Sequence, residues 1–180
     1  MEKITKIILI VIFSSVIISG VSIGIWLGIN NSQDNNLPHP DEDWELQISG
    51  ALAVDDFNIS LSEIIEMPFY KQDYTIRGSD TYVAEYKGVS IQYLVQNKID
   101  VNSTATTITF VSNDSYELSF NIDEIISDEA NILAYKKNGE YLLNQSEGGN
   151  GYLRLIIPPE NDQDYNGHLC LKWIVQIIFS

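Results

Sequence analysis

The chain has 180 residues, with 10 basic and 25 acidic side chains and a formal charge of −15. So acidic a surface repels a phosphate backbone and excludes nucleic-acid binding. One cysteine excludes an internal disulfide and a cysteine-built zinc or iron–sulfur centre.

Ile7 to Ile29 forms 23 consecutive positions without a charge. As a helix it would extend roughly 34 Å, enough to cross a hydrocarbon layer about 30 Å thick. A cleaved signal peptide competes with this reading, but its apolar core is usually about 7–15 residues long and ends at a small-x-small site. This run is longer and ends at Trp26-Leu27-Gly28-Ile29, which favours an uncleaved anchor over residues 1–29. Lys3 and Lys6 precede it and Asp34, Asp41, Glu42 and Asp43 follow. The positive-inside rule therefore predicts a cytoplasmic N-terminus and an extracytoplasmic acidic domain. Gly20, Gly24 and Gly28 share one helix face, the spacing that lets two membrane helices approach closely; a homodimer through this stripe is one reading, and the general abundance of glycine in membrane helices is the other. Gly20-Val21-Ser22-Ile23-Gly24 has the form of a nucleophile elbow, but that motif needs a strand–turn–helix that a membrane helix does not supply.

Residues 30–43 are amides, prolines and acids with almost nothing to bury, and read as a linker that leaves His39 in solvent. Five Asn-x-Ser/Thr sequons, at Asn30, Asn58, Asn102, Asn113 and Asn144, suit an exterior setting.

Residues 44–180 are sufficient for a single core. Glu45–Ser49 alternates as a half-buried strand, and Phe57 and Ile59 continue the period. Ser60 stands three before Glu63, a capping box for a short helix over Leu61–Glu66 that stops before Pro68. Strands are predicted over Tyr74–Arg77 and Thr81–Lys87, then a helix over Ile91–Asn97 capped by Ser90. Thr106–Val111 and Tyr116–Phe120 should form a hairpin, followed by a short helix that Asn121 caps at Glu124. Asn131–Lys136 and Tyr141–Leu143 flank a turn. Leu153–Ile157 and Leu171–Phe179 are apolar enough to be central strands, the second burying Lys172 beside a carboxylate partner. The pattern predicts a mixed, sheet-dominated α+β domain.

Asp162-Gln163-Asp164-Tyr165-Asn166-Gly167 matches the first half of a calcium loop, making Asp162, Asp164 and Asn166 candidate ligands. Position 12 is Trp173, so another carboxylate such as Glu160 would have to complete the site. His168 reads as a solvated side chain, and with no second histidine in the domain a histidine-based triad is unsupported.

Several segments occur in a telling order: Gly88-Val89-Ser90-Ile91-Gln92-Tyr93-Leu94-Val95, then Phe110-Val111-Ser112-Asn113-Asp114-Ser115-Tyr116, then Ala134-Tyr135-Lys136-Lys137-Asn138-Gly139. Gly148-Gly149 leading to Tyr152-Leu153-Arg154-Leu155-Ile156-Ile157-Pro158 follows, and Leu171-Lys172-Trp173-Ile174 closes the series. Together, over nearly all of 44–180, they resemble the molybdopterin-binding domain of the sulfite oxidase family. That resemblance implies a sulfite-oxidase-like fold, molybdopterin as cofactor, and Ser112, Arg154 and Lys172 as cofactor-binding residues. It also implies a thiolate for molybdenum in the strand that here reads Tyr74-Thr75-Ile76-Arg77-Gly78, where no cysteine stands. The basic residue usual near Leu169 is absent as well. Cys170 is expected to be buried and structural. The missing thiolate favours a membrane-anchored, non-catalytic ligand-binding or interaction module. The alternative is an active molybdopterin-dependent oxidoreductase with an oxygen ligand from Ser79 or Asp80.

Overall fold

The computed structural model describes residues 43–161 and 164–180. The apolar run, its glycine stripe and most of the linker lie outside the described residues, as does Asp162. No helix among the described residues is long and apolar enough to cross a membrane.

The chain after the linker begins with strand β1 (Glu45–Gly50), β2 (Phe57–Ser60) and helix α1 (Leu61–Glu66). The capping box forms: the Glu63 N–H donates to Ser60 Oγ at 3.2 Å and the Ser60 N–H to Glu63 Oε2 at 2.9 Å. These bonds also hold the Glu63 carboxyl below its ordinary range. A long hairpin follows, β3 (Phe69–Arg77) and β4 (Thr81–Ser90), then α2 (Ile91–Asn97). Ser90 stands at the N-cap of α2, but its hydroxyl makes no capping bond. Next come β5 (Thr107–Ser112), β6 (Glu117–Asn121) and α3 (Ile122–Ile125), whose cap is Asn121, accepting from the Glu124 N–H at 3.3 Å. The chain ends with β7 (Ile132–Lys137), β8 (Glu140–Tyr141), β9 (Arg154–Ile156) and β10 (Ile174–Phe179).

The strands form two sheets, β2-β1-β10-β5-β6 and β3-β4-β7-β8, with β9 also paired to β7. One core draws on both sheets and all three helices: Leu46 and Ile48 of β1, Leu61 and Ile64 of α1, Phe110 of β5, Leu133 of β7, and Ile177 and Phe179 of β10 are all essentially inaccessible. Burying a side chain of this size stabilises by about 1.5–3 kcal/mol. The opposite face of the second sheet is covered too, by a smaller cluster of Tyr74, Ile76, Ala84, Tyr86, Ile132, Ala134, Ile156 and Cys170. β7 is therefore buried on both sides, which explains its unbroken apolar run.

β10 is central, between β1 and β5. β9 is not: it lies at the margin of the second sheet and owes its burial to a crossing segment. The Leu155 N–H donates to the Leu171 carbonyl at 2.9 Å and the Ile174 N–H to the Leu153 carbonyl at 3.2 Å. The strand predicted from Leu171 starts only at Ile174, because Trp173 adopts φ 55, a left-handed backbone that ends extended pairing. Lys172 is thereby turned outward and is exposed rather than buried beside a carboxylate.

Candidate functional site

The left-handed residue is held from several sides. The Trp173 N–H donates to the Asn150 carbonyl at 2.9 Å, its indole N–H to the Gly149 carbonyl at 3.3 Å, and its own carbonyl accepts from the Asn113 N–H at 2.9 Å. Gly151 makes the contact feasible, since a Cβ there would lie 2.5 Å from the Trp173 Cα. The kink brings Lys172 to the end of β5, where Ser112 closes the strand and the turn to β6 begins.

Ser112 is buried, and its hydroxyl donates to the Asp114 carboxylate, which also accepts from the Tyr116 N–H at 3.3 Å. These bonds, with that from Ser112 foremost, hold the exposed Asp114 carboxyl below its ordinary range. Arg154 enters from β9. It is 6% exposed, its Nη1 donates to the Tyr86 hydroxyl at 2.8 Å and the Tyr82 hydroxyl at 3.0 Å, and its Nε has no hydrogen-bond partner. No described carboxylate forms an ion pair with it. A buried guanidinium in that condition is poised for an anion. Burial raises the Tyr86 phenol, reinforced by its bond with Tyr82. For Tyr82 burial is the largest influence and acts upward. The Tyr86 bond, the Arg154 charge and hydrogen bond, and Lys137 together outweigh it and leave the Tyr82 phenol lowered.

Ser112, Arg154 and Lys172, the three residues singled out in the sequence, line one cleft of about 350 Å³. Asp114, Tyr116, His168, Cys170 and Trp173 line it with them. Asp114 stands within the quoted motif, two residues after Ser112, and its acid faces the same space. His168 is exposed as expected but stacks on Tyr165, ring centroids 6.0 Å apart, at the rim of this cleft. Tyr82 and Tyr86 carried no sequence signal of a site role, because only the pairing of distant strands sets them against Arg154.

The calcium reading does not hold for Asn166. Its side chain is buried and points into the domain, where its Oδ1 accepts from the Arg77 N–H at 2.8 Å. Its Nδ2 donates to the Ile157 carbonyl at 2.7 Å and the Thr75 carbonyl at 3.1 Å. Its oxygen is already committed and faces away from solvent. Asp164 Oδ2 accepts from the Asn161 N–H at 3.0 Å, a local turn bond. No cluster of three metal-ligating side chains occurs among the described residues.

A family model described as the oxidoreductase molybdopterin-binding domain matches residues 34–180. The chain belongs to this family. No curated protein matches the sequence. Among solved structures the chain is similar to the sulfane dehydrogenase SoxCD from Paracoccus pantotrophus, with a TM-score of 0.61 and 18% identity. That match covers 77% of this chain and 38% of the other, so the chain spans well under half of that relative. At this identity the likeness concerns the fold: a sheet-dominated α+β domain of the molybdopterin oxidoreductase type.

The family's cofactor has an anionic phosphate end and a metal end, and the site treats them differently. For the phosphate, Arg154 and Lys172 supply positive charge in an otherwise acidic domain. For the metal, the strand segment expected to carry the thiolate, Tyr74 to Gly78, holds no cysteine, and Tyr74 and Ile76 within it are buried in the smaller apolar cluster. The ground beside it is closed. Gly167 packs so near the end of β3 that a Cβ there would lie 2.8 Å from the Arg77 carbonyl oxygen and 2.9 Å from the Gly78 Cα. Cys170 is 4% exposed, and its Sγ donates to the Ile157 carbonyl at 3.6 Å. Burial pushes that thiol up, against smaller opposing effects from this bond and Arg154. It is a protonated packing residue rather than a thiolate. Ser79 and Asp80 sit exposed in the β3–β4 turn and are not among the residues lining the cleft. The residues present fit the anionic end of a pterin cofactor and do not fit a thiolate-held metal.

Proposed function

We propose that this domain is a ligand-binding module of the molybdopterin-binding fold, held outside the membrane by residues 7–29, that grips an anionic pterin-type ligand and performs no molybdenum chemistry. The observation that carries this reading is Arg154, a buried cation with an unbonded Nε and no described carboxylate beside it. Lys172 lines the same cleft and adds a second charge, and the Ser112 hydroxyl lines it with them. Arg154 in turn is oriented by Tyr82 and Tyr86, so the guanidinium plane is set before any ligand arrives.

A working oxidoreductase is the second reading, and membership of an oxidoreductase family favours it. It requires a metal ligand other than cysteine, from Ser79 or Asp80. Full-length chain made in a molybdopterin-producing host separates the two by metal analysis and pterin fluorescence. The binding-module reading expects pterin without stoichiometric molybdenum. Molybdenum at one atom per chain overturns it. Loss of both metal and pterin overturns the oxidoreductase and the pterin assignment together.

A further inference from the structure

Where β4 runs into α2, a hollow of about 310 Å³ opens that shares no lining residue with the charged cleft. That volume lies within the range of small-molecule sites. Its frame is fixed by the fold. Ser90 ends β4 opposite Ile132 of β7, and the next N–H, that of Ile91, donates to the Asn131 carbonyl at 2.9 Å. In the segment before β7, the Ala130 N–H donates to Asp128 Oδ1 at 2.9 Å and pins the turn that carries Glu129.

Ser90 is the residue that packing does not explain. It is 8% exposed, its hydroxyl makes no capping bond to α2, and its Oγ has no hydrogen-bond partner among the described residues. A buried hydroxyl left in that state costs free energy that alanine at the same place would avoid. Ser90 nevertheless lines the hollow. Gln92 and Gln96 stand four apart on one side of α2, and both line the same space. Neither side-chain amide has a hydrogen-bond partner among the described residues. Asn97 lines it with them, and its Nδ2 donates to the Tyr93 carbonyl at 3.1 Å, which leaves the Oδ1 to accept. Tyr70 and Tyr93 add ring surface, and the Tyr70 hydroxyl is held by donating to Gln72 Oε1 at 3.2 Å.

This lining selects by chemistry. No lysine, arginine or histidine borders the hollow and Glu129 does, so an anionic ligand is repelled. Amides and hydroxyls both donate and accept, whereas a carboxylate only accepts. A ligand that satisfies all of them must carry several neutral groups that do both, close together on a compact frame. Hydroxyls on a sugar ring meet that demand, and the apolar face of such a ring packs against tyrosine. We propose that this hollow binds a neutral saccharide, with Ser90, Gln92, Gln96 and Glu129 hydrogen-bonding its hydroxyls. A second hollow of about 380 Å³ shares Pro68 and Tyr93 with the first and includes Asn58 and Glu66, so a sugar chain has room to continue.

The test is saturation-transfer NMR on the full chain in a detergent without a sugar head group. The probes are neutral mono- to trisaccharides of glucose, galactose, mannose and N-acetylglucosamine, with choline as a cationic control. At least one saccharide should receive saturation, and Ser90→Ala and Gln92→Ala should each weaken its binding about fivefold or more. Ser90→Ala should leave the melting temperature equal or higher, because the lost hydroxyl bonds nothing among the described residues. Gln96→Ala, at an exposed helix position, should weaken binding in the same way with the fold least affected. Arg154→Met, which removes the buried cation of the other cleft, should leave saccharide binding unchanged. Saturation of no saccharide, of choline alone, or of a saccharide indifferent to both Ser90→Ala and Gln92→Ala overturns the proposal.

Discussion

The two ends of the site that the family's cofactor would need, the charged cleft and the packed ground beside β3, are built on opposite principles. At one end Arg154 is desolvated with a donor left over, and Lys172 is turned outward by a kinked backbone. At the other, Asn166 satisfies three backbone groups at once, and Ile76, Gly167 and Cys170 fill the space by packing. An unsatisfied buried donor costs free energy that packing does not return, whereas a satisfied, filled site is stable without a ligand. The contrast teaches that one end depends on something arriving and the other does not.

Breaking the sealed end should have the largest effect on stability. Asn166→Ala strands the Arg77 N–H and the Thr75 and Ile157 carbonyls, and at about 1–3 kcal/mol for each poorly solvated group the total should reach about 3 kcal/mol or more. Urea unfolding should show a lower midpoint with an unchanged slope. An unchanged midpoint would mean that water replaces the amide freely and the end is not sealed.

Arg154→Met should behave in the opposite way. Removing a buried cation that has no carboxylate partner among the described residues should leave stability within about 1 kcal/mol of the parent. Affinity for a pterin phosphate should fall by about tenfold or more, the effect of losing a charged hydrogen bond. Calorimetric titration alongside thermal melts would read both. A large loss of stability with affinity intact would reverse the roles assigned to the two ends.

The smallest effect is expected at Ser112, on the open side. The Asp114 carboxyl is held low in the folded state, chiefly by the Ser112 hydroxyl. Its contribution is thus present above the ordinary aspartate range and disappears as pH falls through the lowered folded value. Ser112→Ala should move the Asp114 titration upward, toward the ordinary range, in a carboxyl-resolved NMR series. No upward movement would mean that the bond does not exist in solution.

Local signals carried much of the fold. Ser60 with Glu63, and Asn121 with Glu124, announce their helices because all the partners lie within one turn. The first half of β3 was not legible: Phe69-Tyr70-Lys71-Gln72-Asp73 follows a proline and lies on an edge, so it lacks the apolar alternation of a half-buried strand. The spacing from Asp162 to Gly167 suits a cation loop and an inward-turned amide equally well. The difference lies in Thr75 and Arg77, some ninety residues earlier in the chain. Ser112, Arg154 and Lys172 were found together only through resemblance, and the exposure of Lys172 depends on a backbone reversal at Trp173 that composition does not encode.

That reversal has an evolutionary consequence. The loop spanning Asn144 to Gly151 supplies the carbonyls that fasten Trp173, so its length sets the direction in which the neighbouring ammonium points. Lengthening or trimming this loop by a residue would re-aim Lys172 without altering any amino acid that lines the binding space. Relatives with different ligand preferences could diverge by insertion and deletion here, while every lining side chain stays the same.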